Sequence, residues 1–419
     1  MLLAPFSGPE LKLVLALDVG TTFSGIAYAI LAPGEVPKVH NVTRFPGQED
    51  GRFKIPSILW YTRDGEVHSV GAEAHNLIMG ITDDDEDLVP VEWFKLFLRP
   101  EGLDISEIHQ DDVKSLPLGF PVTNIFGDFL AYLFRCAKKF ITETHPNGTD
   151  LWNSFGDRIE FILSHPNTWE TPQRERMTEA AIHAGFIADM EDHSRIHFVS
   201  EGVAGLYYCI HHELASETIK NGSSVMVIDA GGGTVDLSTY QFVNASPIAV
   251  QEVSSPGCIL QGSMTVNMRA REFLKKKLKD SCYGNNADVN SMLDIFERHT
   301  KPKFDATSQR LYIKFGSSRD EDSASEIHRG QLSLDVTDVT RFFWPCLDGI
   351  LEAISAQRAS ASTSIKTAFF VGGFAASPWL YERLRAALHA TGMDLLRAYN
   401  HTNKAASEGA VVFFLTNSL

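Results

Sequence analysis

Asp229 closes the apolar run Val225-Met-Val-Ile and is followed by Ala230, then Gly231, Gly232, Gly233 and Thr234. An acid at a strand end can hold a hydrated metal ion. Glycines, lacking Cβ, let backbone N–H groups close on an anion. A hydroxyl beside the turn, here Thr234, can position a water or a phosphate oxygen. Together these residues suit a phosphate-and-magnesium clamp on a hairpin, although three glycines alone equally mark an ordinary turn.

A second copy separates the two readings. Leu13-Val-Leu-Ala-Leu runs into Asp18, Gly20 follows at the spacing of Gly231 from Asp229, and Thr21 and Thr22 come next. The two acids stand about half the chain apart. A repeat at that spacing predicts a duplicated domain, with one glycine hairpin per half and a polyphosphate gripped in the cleft between them. A third glycine element, Val371-Gly372-Gly373-Phe-Ala-Ala-Ser377-Pro378, reads as strand, turn, N-cap and helix. A helix start behind two glycines suits an anion, or a nucleotide's sugar and α-phosphate.

The elements that must carry these residues follow from patterning. The first hairpin covers 11–31. Ile55–Tyr61 reads as one strand, and Asp64-Gly65 turns into 66–70. Apolar residues at 126, 129, 130, 133, 137, 140 and 141 predict a helix over 123–144. Strands are expected at 158–164 and 196–199, the latter running into Glu201. Thr171 is the expected N-cap of a helix with Pro172 at its first position and Gly185 at its end. Small and aromatic residues over 203–214 predict a helix, and 269–279 is a basic helical run. A further strand is expected at 310–315 and a last helix at 405–415. Lys95 lies among apolar residues in Val91–Leu98. That pattern fits a lysine snorkelling from a half-buried element as well as one presented to phosphate.

The chain has 419 residues, enough for two domains, with 44% hydrophobic and 21% charged residues, ordinary for a globular protein. Net charge is −16, which argues against a nucleic-acid or anionic-membrane surface. The acidic run Asp83–Asp87 reads as a solvated loop. Cys136, Cys209, Cys258, Cys282 and Cys346 form no CxxC pair and fit reduced thiols in a cytosolic protein. Residues 1–10 read as a loose leader, the apolar run Leu11–Leu17 as a strand rather than a signal peptide, and no apolar run reaches the roughly 20 residues of a membrane span. A cytoplasmic location, with the nucleus also open to the protein, is the expectation.

Asp18-Val-Gly-Thr-Thr-Phe-Ser-Gly, Asp229-Ala-Gly-Gly-Gly-Thr-Val-Asp and Val371-Gly-Gly-Phe-Ala-Ala-Ser-Pro, in this order, resemble the nucleotide-binding domain of the heat shock protein 70 family. Its divergent "member 12"-like branch is the nearest match, over about residues 11–415. The resemblance implies an α/β, duplicated actin-like ATPase (ribonuclease H-like) fold with two lobes around a nucleotide cleft. Lobe I would be 1–220, with an inserted subdomain at about 33–118. Lobe II would be 221–419, with an insertion at about 257–330.

The resemblance also implies roles. Asp18 and Asp229 would hold Mg²⁺ through water. Gly20, Thr21 and Thr22 would wrap the phosphates from one side, and Gly231, Gly232, Gly233 and Thr234 from the other. Lys95 falls at the catalytic lysine, Glu201 at the glutamate that orients the attacking water, and Thr234 at a hydroxyl near the γ-phosphate. Gly372 and Gly373 would back the adenosine. Glu297 and Lys301 fall near the adenine-contacting helix with a spacing off by one. ATP or ADP, Mg²⁺ and K⁺ are the implied cofactors. Clients and co-chaperones are the implied protein partners, with no nucleic acid and no membrane.

The implied activity is slow ATP hydrolysis driving a switch or chaperone-related adaptor. A small-molecule kinase of the sugar-kinase type and a catalytically silent scaffold are the alternatives. Three departures stand out. Glu201 is followed by Gly202 rather than proline. The third motif lacks its usual arginine between Gly373 and Ser377. The sequence ends at Leu419 soon after the last helix, so no C-terminal substrate-binding domain is expected.

Overall fold

The computed structural model describes residues 3–48, 51–78, 88–100, 116, 119–214, 218–305, 307–398 and 402–418. The acidic run Asp83–Asp87 lies outside them. The chain is mixed α/β and divides into two compact units, Met1–Thr218 with Asn403–Leu419, and Ile219–Thr402.

In the first unit, β1 (Lys12–Asp18) and β2 (Phe23–Leu31) form the first hairpin, with Asp18 opposite Gly25. β3 (Val39–Asn41) and β4 (Lys54–Pro56) pair with β2, and β4 sets Lys54 opposite Gly25. β5 (Ile58–Thr62) is the centre of a small separate sheet with β6 (Val67–Val70) and β7 (Leu88–Glu92). The run expected as one strand is therefore two strands in two sheets. The break falls at Ser57, whose N–H turns to Thr22 O at 2.9 Å and whose hydroxyl meets Ser24 Oγ at 2.8 Å, while Pro56 has no N–H to continue a ladder.

α1 (Ala72–Ile78) packs on the small sheet, and α2 (Val122–Thr144) buries the predicted apolar stripe except at half-buried Phe140. α3 (Gly148–Phe155) follows, a helix the pattern did not reveal. β8 (Ile159–His165) lies parallel to β1, and β9 (Ile196–Ser200) parallel to β8. α4 (Thr171–His183) begins one residue earlier than expected: Glu170 is its N-cap, its N–H donating to Gln173 Oε1 at 3.1 Å, and Thr171 is already helical. Gly185 ends it at φ +75°.

α5 (Glu201–His211) packs on the last helix, Ala405–Ser418. A Cβ at Gly409 would come within 1.8 Å of Ala204 O, which is why that helix begins with small residues. The expected loose leader is tied down from residue 3 on. Phe6 is buried, its N–H bonds Glu35 O at 2.8 Å, and its carbonyl accepts from Gly34 N at 2.8 Å.

The second unit repeats the main-sheet plan. β10 (Ser224–Ala230) and β11 (Val235–Ala245) form the second hairpin, and β12 (Ile248–Ile259) extends it antiparallel. α6 (Ser263–Lys277) and α7 (Asn286–Ile295) follow, then a three-stranded sheet of β13 (Arg310–Lys314), β14 (Ile327–His328) and β15 (Gln331–Asp335). α8 (Val336–Ser360) leads to β16 (Thr367–Val371), which runs parallel to β10. α9 (Pro378–Ala390) connects to β17 (Asp394–Arg397), parallel to β16. Strand order β12-β11-β10-β16-β17 matches β3-β2-β1-β8-β9 in order and direction. The central strands β1 and β10 are buried almost throughout, as strands covered on both faces must be. Among the described residues, no helix is long and apolar enough to cross a membrane.

Candidate nucleotide-binding half-sites

In the first unit, Asp18, Lys95 and Glu201 come together although three separate segments carry them. Asp18 ends β1, buried. Its Oδ1 accepts from Ser164 Oγ at 2.8 Å and its Oδ2 from the Lys54 ammonium. Burial pushes the Asp18 carboxyl up, but the Lys54 and Lys95 charges and the two hydrogen bonds outweigh it, holding the group below the usual aspartate value. Lys95 sits in a 3-10 turn, Phe94–Leu98, entered through Trp93 in the left-handed region at φ 55°. Its Nζ donates to Glu201 Oε1 at 2.6 Å and lies 5.7 Å from the centre of the Trp169 ring. Both side chains are largely buried, at 7% and 12% exposure.

Glu201 is the first residue of α5, capped by Ser200. Gly202 N donates to Asn167 Oδ1 at 2.9 Å, a bond proline could not make. The Gly202 departure thus has a local use: it fastens the start of α5 to the segment after β8. Gly20 opens the turn that holds Thr21 and Thr22, and its N–H bonds Ser24 Oγ at 3.2 Å. A Cβ there would stand 2.2 Å from Phe23 O, so only glycine fits.

In the second unit the three-glycine turn is seated on the start of α6. Ser263 N donates to Gly231 O at 3.1 Å, Met264 N to Gly232 O at 2.8 Å and Gly262 N to Gly233 O at 3.1 Å. The turn's carbonyls thereby satisfy N–H groups that a helix start leaves over. In a trans peptide the N–H points opposite to the carbonyl. The N–H groups of Gly232, Gly233 and Thr234 are therefore directed away from α6, as a phosphate cradle requires. Thr234 Oγ1 donates to Asp236 Oδ2 at 2.8 Å.

The third motif is carried beside the second: Val371 pairs with Asp229, and Gly372 has φ +92° with its carbonyl accepting from Thr402 Oγ1 at 2.9 Å. A Cβ on Gly372 would lie 2.3 Å from Asp229 Oδ1. Gly373 starts the short turn Phe374–Ala376, and Ser377 caps α9 as expected. A guanidinium does reach this motif from another strand. Arg397 at the end of β17 donates to Ala375 O at 2.9 Å and stacks on Tyr381 at 3.9 Å.

Glu297 lies on a π-turn, Phe296–Thr300, and Lys301 caps its end, the Lys301 N–H bonding Phe296 O. A π-turn absorbs one extra residue in a helix, and the spacing that is off by one falls at this turn. Lys301 is buried and donates to Ser263 Oγ at 2.8 Å and Asn267 Oδ1 at 2.7 Å on α6. Burial lowers its pKa, and the nearby Glu297 opposes that shift.

Among the described residues, no group of three or more His, Cys, Asp or Glu side chains could hold a metal ion. At Asp18 both carboxylate oxygens accept from protein donors, one of them an ammonium whose charge opposes a divalent ion beside it.

No family model matches the sequence. Mouse heat shock 70 kDa protein 12A is 24% identical to it over 461 residues, covering 89% of this chain and 65% of that protein. The human 12A protein matches with the same identity and coverage. Human heat shock 70 kDa protein 12B is 21% identical over 491 residues, covering 96% of this chain and 68% of that protein. The chain is a divergent relative of heat shock 70 kDa proteins 12A and 12B. It spans 65% of the length of the 12A proteins.

Sequence reasoning missed Lys54, Ser164, Asn167 and Trp169 at the first half-site. The signal for the last three was present: a strand ending in Ser-His-Pro-Asn-Thr-Trp places polar groups at a parallel strand's carboxyl end, where ligands bind. Lys54 gave no local signal, because its place depends on which strand β4 joins.

Proposed function

We propose that the chain adopts the actin-like ATPase fold, binds ATP or ADP and hydrolyses ATP slowly, acting as a nucleotide-dependent switch or adaptor. The observation that carries this reading is the buried cluster of Asp18, Lys54, Lys95 and Glu201 beside the Gly20–Thr22 turn. Burying two ammonium groups and two carboxylates is costly unless the charges serve one another or a ligand. In the first unit a polyanion would take the Lys95 ammonium and the turn N–H groups of Gly20, Thr21 and Thr22. In the second unit Gly231, Gly232, Gly233 and Thr234 would offer N–H groups to phosphate, with Gly372 and Gly373 towards the adenosine. Glu297 would reach the base, while Lys301 fixes α6 behind the three-glycine turn.

In hydrolysis Glu201 would orient the attacking water, and Lys95 would offset charge on the departing phosphate. Thr234, its hydroxyl released from Asp236, would donate to the γ-phosphate. With ATP, an accompanying Mg²⁺ would be met through water by Asp229. Clients and partner proteins of the switch are a matter for capture with each nucleotide state.

Thermal unfolding with ADP and ATP tests the reading. Ligand at ~100 times its Kd stabilises by roughly 2.7 kcal/mol, a shift of a few degrees. The shift is expected in wild type and is expected to weaken in Asp229→Asn. No shift with either nucleotide overturns the proposal.

A further inference from the structure

Asp18, Gly25 and Lys54 form one row across three strands. Asp18 faces Gly25 in the β1–β2 ladder, and Gly25 faces Lys54 in the β2–β4 ladder. Directly paired residues share a face of the sheet. The two charged residues therefore point the same way from backbones two strand spacings apart, roughly 10 Å. The lysine bridges that span because the middle residue has no side chain. A Cβ on Gly25 would stand 3.2 Å from Lys54 Cδ and Cε, so the stem lies along the glycine. The ammonium ends on Asp18 Oδ2, with the lysine side chain 15% exposed and the aspartate 5%.

β4 is also stitched to the phosphate turn. Ser57 N bonds Thr22 O at 2.9 Å, Ser57 Oγ meets Ser24 Oγ at 2.8 Å, and Gly20 N bonds Ser24 Oγ at 3.2 Å. Lys54 and the Gly20–Thr22 turn are thus held in one rigid piece. With Lys54 absent, a bare Asp18 carboxylate beside that turn would repel a phosphate. A divalent ion would be the usual remedy, and at Asp18 the Lys54 ammonium already holds that place.

We propose that Lys54 is the resident cation of this half-site, standing at Asp18 in place of a divalent ion, so that the chain holds the phosphates of a nucleoside diphosphate without metal. The proposal rests on the nucleotide-binding reading above. The Lys54 ammonium cancels the Asp18 charge and has hydrogens left to donate to a phosphate oxygen. The turn N–H groups and Lys95 then meet the phosphates unopposed.

ADP binding, measured by titration calorimetry in excess Mg²⁺ and again in EDTA, tests it. Wild type is expected to change its Kd by less than about threefold, and Lys54→Met to weaken about tenfold or more in EDTA and recover in Mg²⁺. If Lys54→Met does not fold, Asp18→Asn with Lys54→Met removes both charges and is expected to bind ADP equally with and without metal. Wild type that loses about tenfold or more in EDTA overturns the role of Lys54 and leaves the nucleotide reading standing. So does a Lys54→Met protein with no added metal dependence. An absence of ADP binding in either condition overturns the nucleotide reading and this proposal with it.

Discussion

Lys95 Nζ and Glu201 Oε1 stand 2.6 Å apart although 106 residues separate them in the chain. The contact joins a 3-10 turn after β7 to the first residue of α5, and both groups are mostly out of water. Neither charge would be tolerable there alone. Lys95→Met and Glu201→Gln are each expected to lose about 3 kcal/mol of stability, and the double variant less than their sum by at least about 1 kcal/mol. Urea unfolding of the four proteins measures this, and simple additivity would show that the pair is not coupled.

Gly202 supplies an N–H to Asn167 Oδ1 at 2.9 Å. Gly202→Pro removes this donor from the half-buried Asn167 amide oxygen. A loss of about 1–2 kcal/mol is expected. Urea unfolding of Gly202→Pro against wild type reads it, and a variant as stable as wild type would mean water replaces the bond at no cost.

Gly372 has φ +92°, and a Cβ there would lie 2.3 Å from Asp229 Oδ1. Gly372→Ala therefore strains the backbone and displaces the Asp229 carboxylate. A loss of about 1–3 kcal/mol is expected, together with a smaller ADP-dependent rise in melting temperature. An unchanged ADP shift would argue that Asp229 takes no part in binding.

Glu408 on the last helix is buried and accepts from His212 Nε2 at 2.6 Å, Lys404 Nζ at 2.8 Å and Asn41 Nδ2 at 3.0 Å. Burial pushes the carboxyl up, but these partners outweigh it and hold the pKa at about 2, against an ordinary 4.5. The folded value is depressed, so the stabilisation is fully present above the unfolded value and fades as pH falls from there towards about 2. Its full size is on the order of 3 kcal/mol. The stability gap between wild type and Glu408→Gln should narrow between pH 6 and pH 3, a window set by that depressed value. Urea unfolding across that range measures the gap, and a pH-independent gap would mean that Glu408 is not charged in the fold.

What was legible in the sequence is what rests on neighbours along the chain. The hairpins ending in Asp18 and Asp229, the helix stripe of 122–144, Ser377 as an N-cap and Gly185 as a helix end all follow from strand alternation, helical spacing and backbone freedom, which act over a few residues. The repeat of the glycine hairpin pointed to two copies of one sheet plan because each copy carries its own local signal. What local signals could not settle was partner choice. Ile55–Tyr61 looks like one strand, and only the bond from Ser57 N to Thr22 O and the missing N–H of Pro56 show why the chain changes sheets there. Phe6 looks like part of a tail until the 34–35 turn is folded against it.

The candidate sites divide the same way. The sequence determined which residues could do phosphate chemistry, since an acid at a strand end, a glycine turn and a hydroxyl are properties of residue type and spacing. Only the tertiary structure decided that Lys95 faces Glu201, and that the π-turn at Phe296–Thr300 brings Lys301 onto α6. It also decided that Lys54, reaching across Gly25, rather than any residue near Asp18 in sequence, neutralises that aspartate. A charge pair is fixed by which strands and helices are packed side by side, and that packing is settled by burial across the whole chain rather than by any stretch of it.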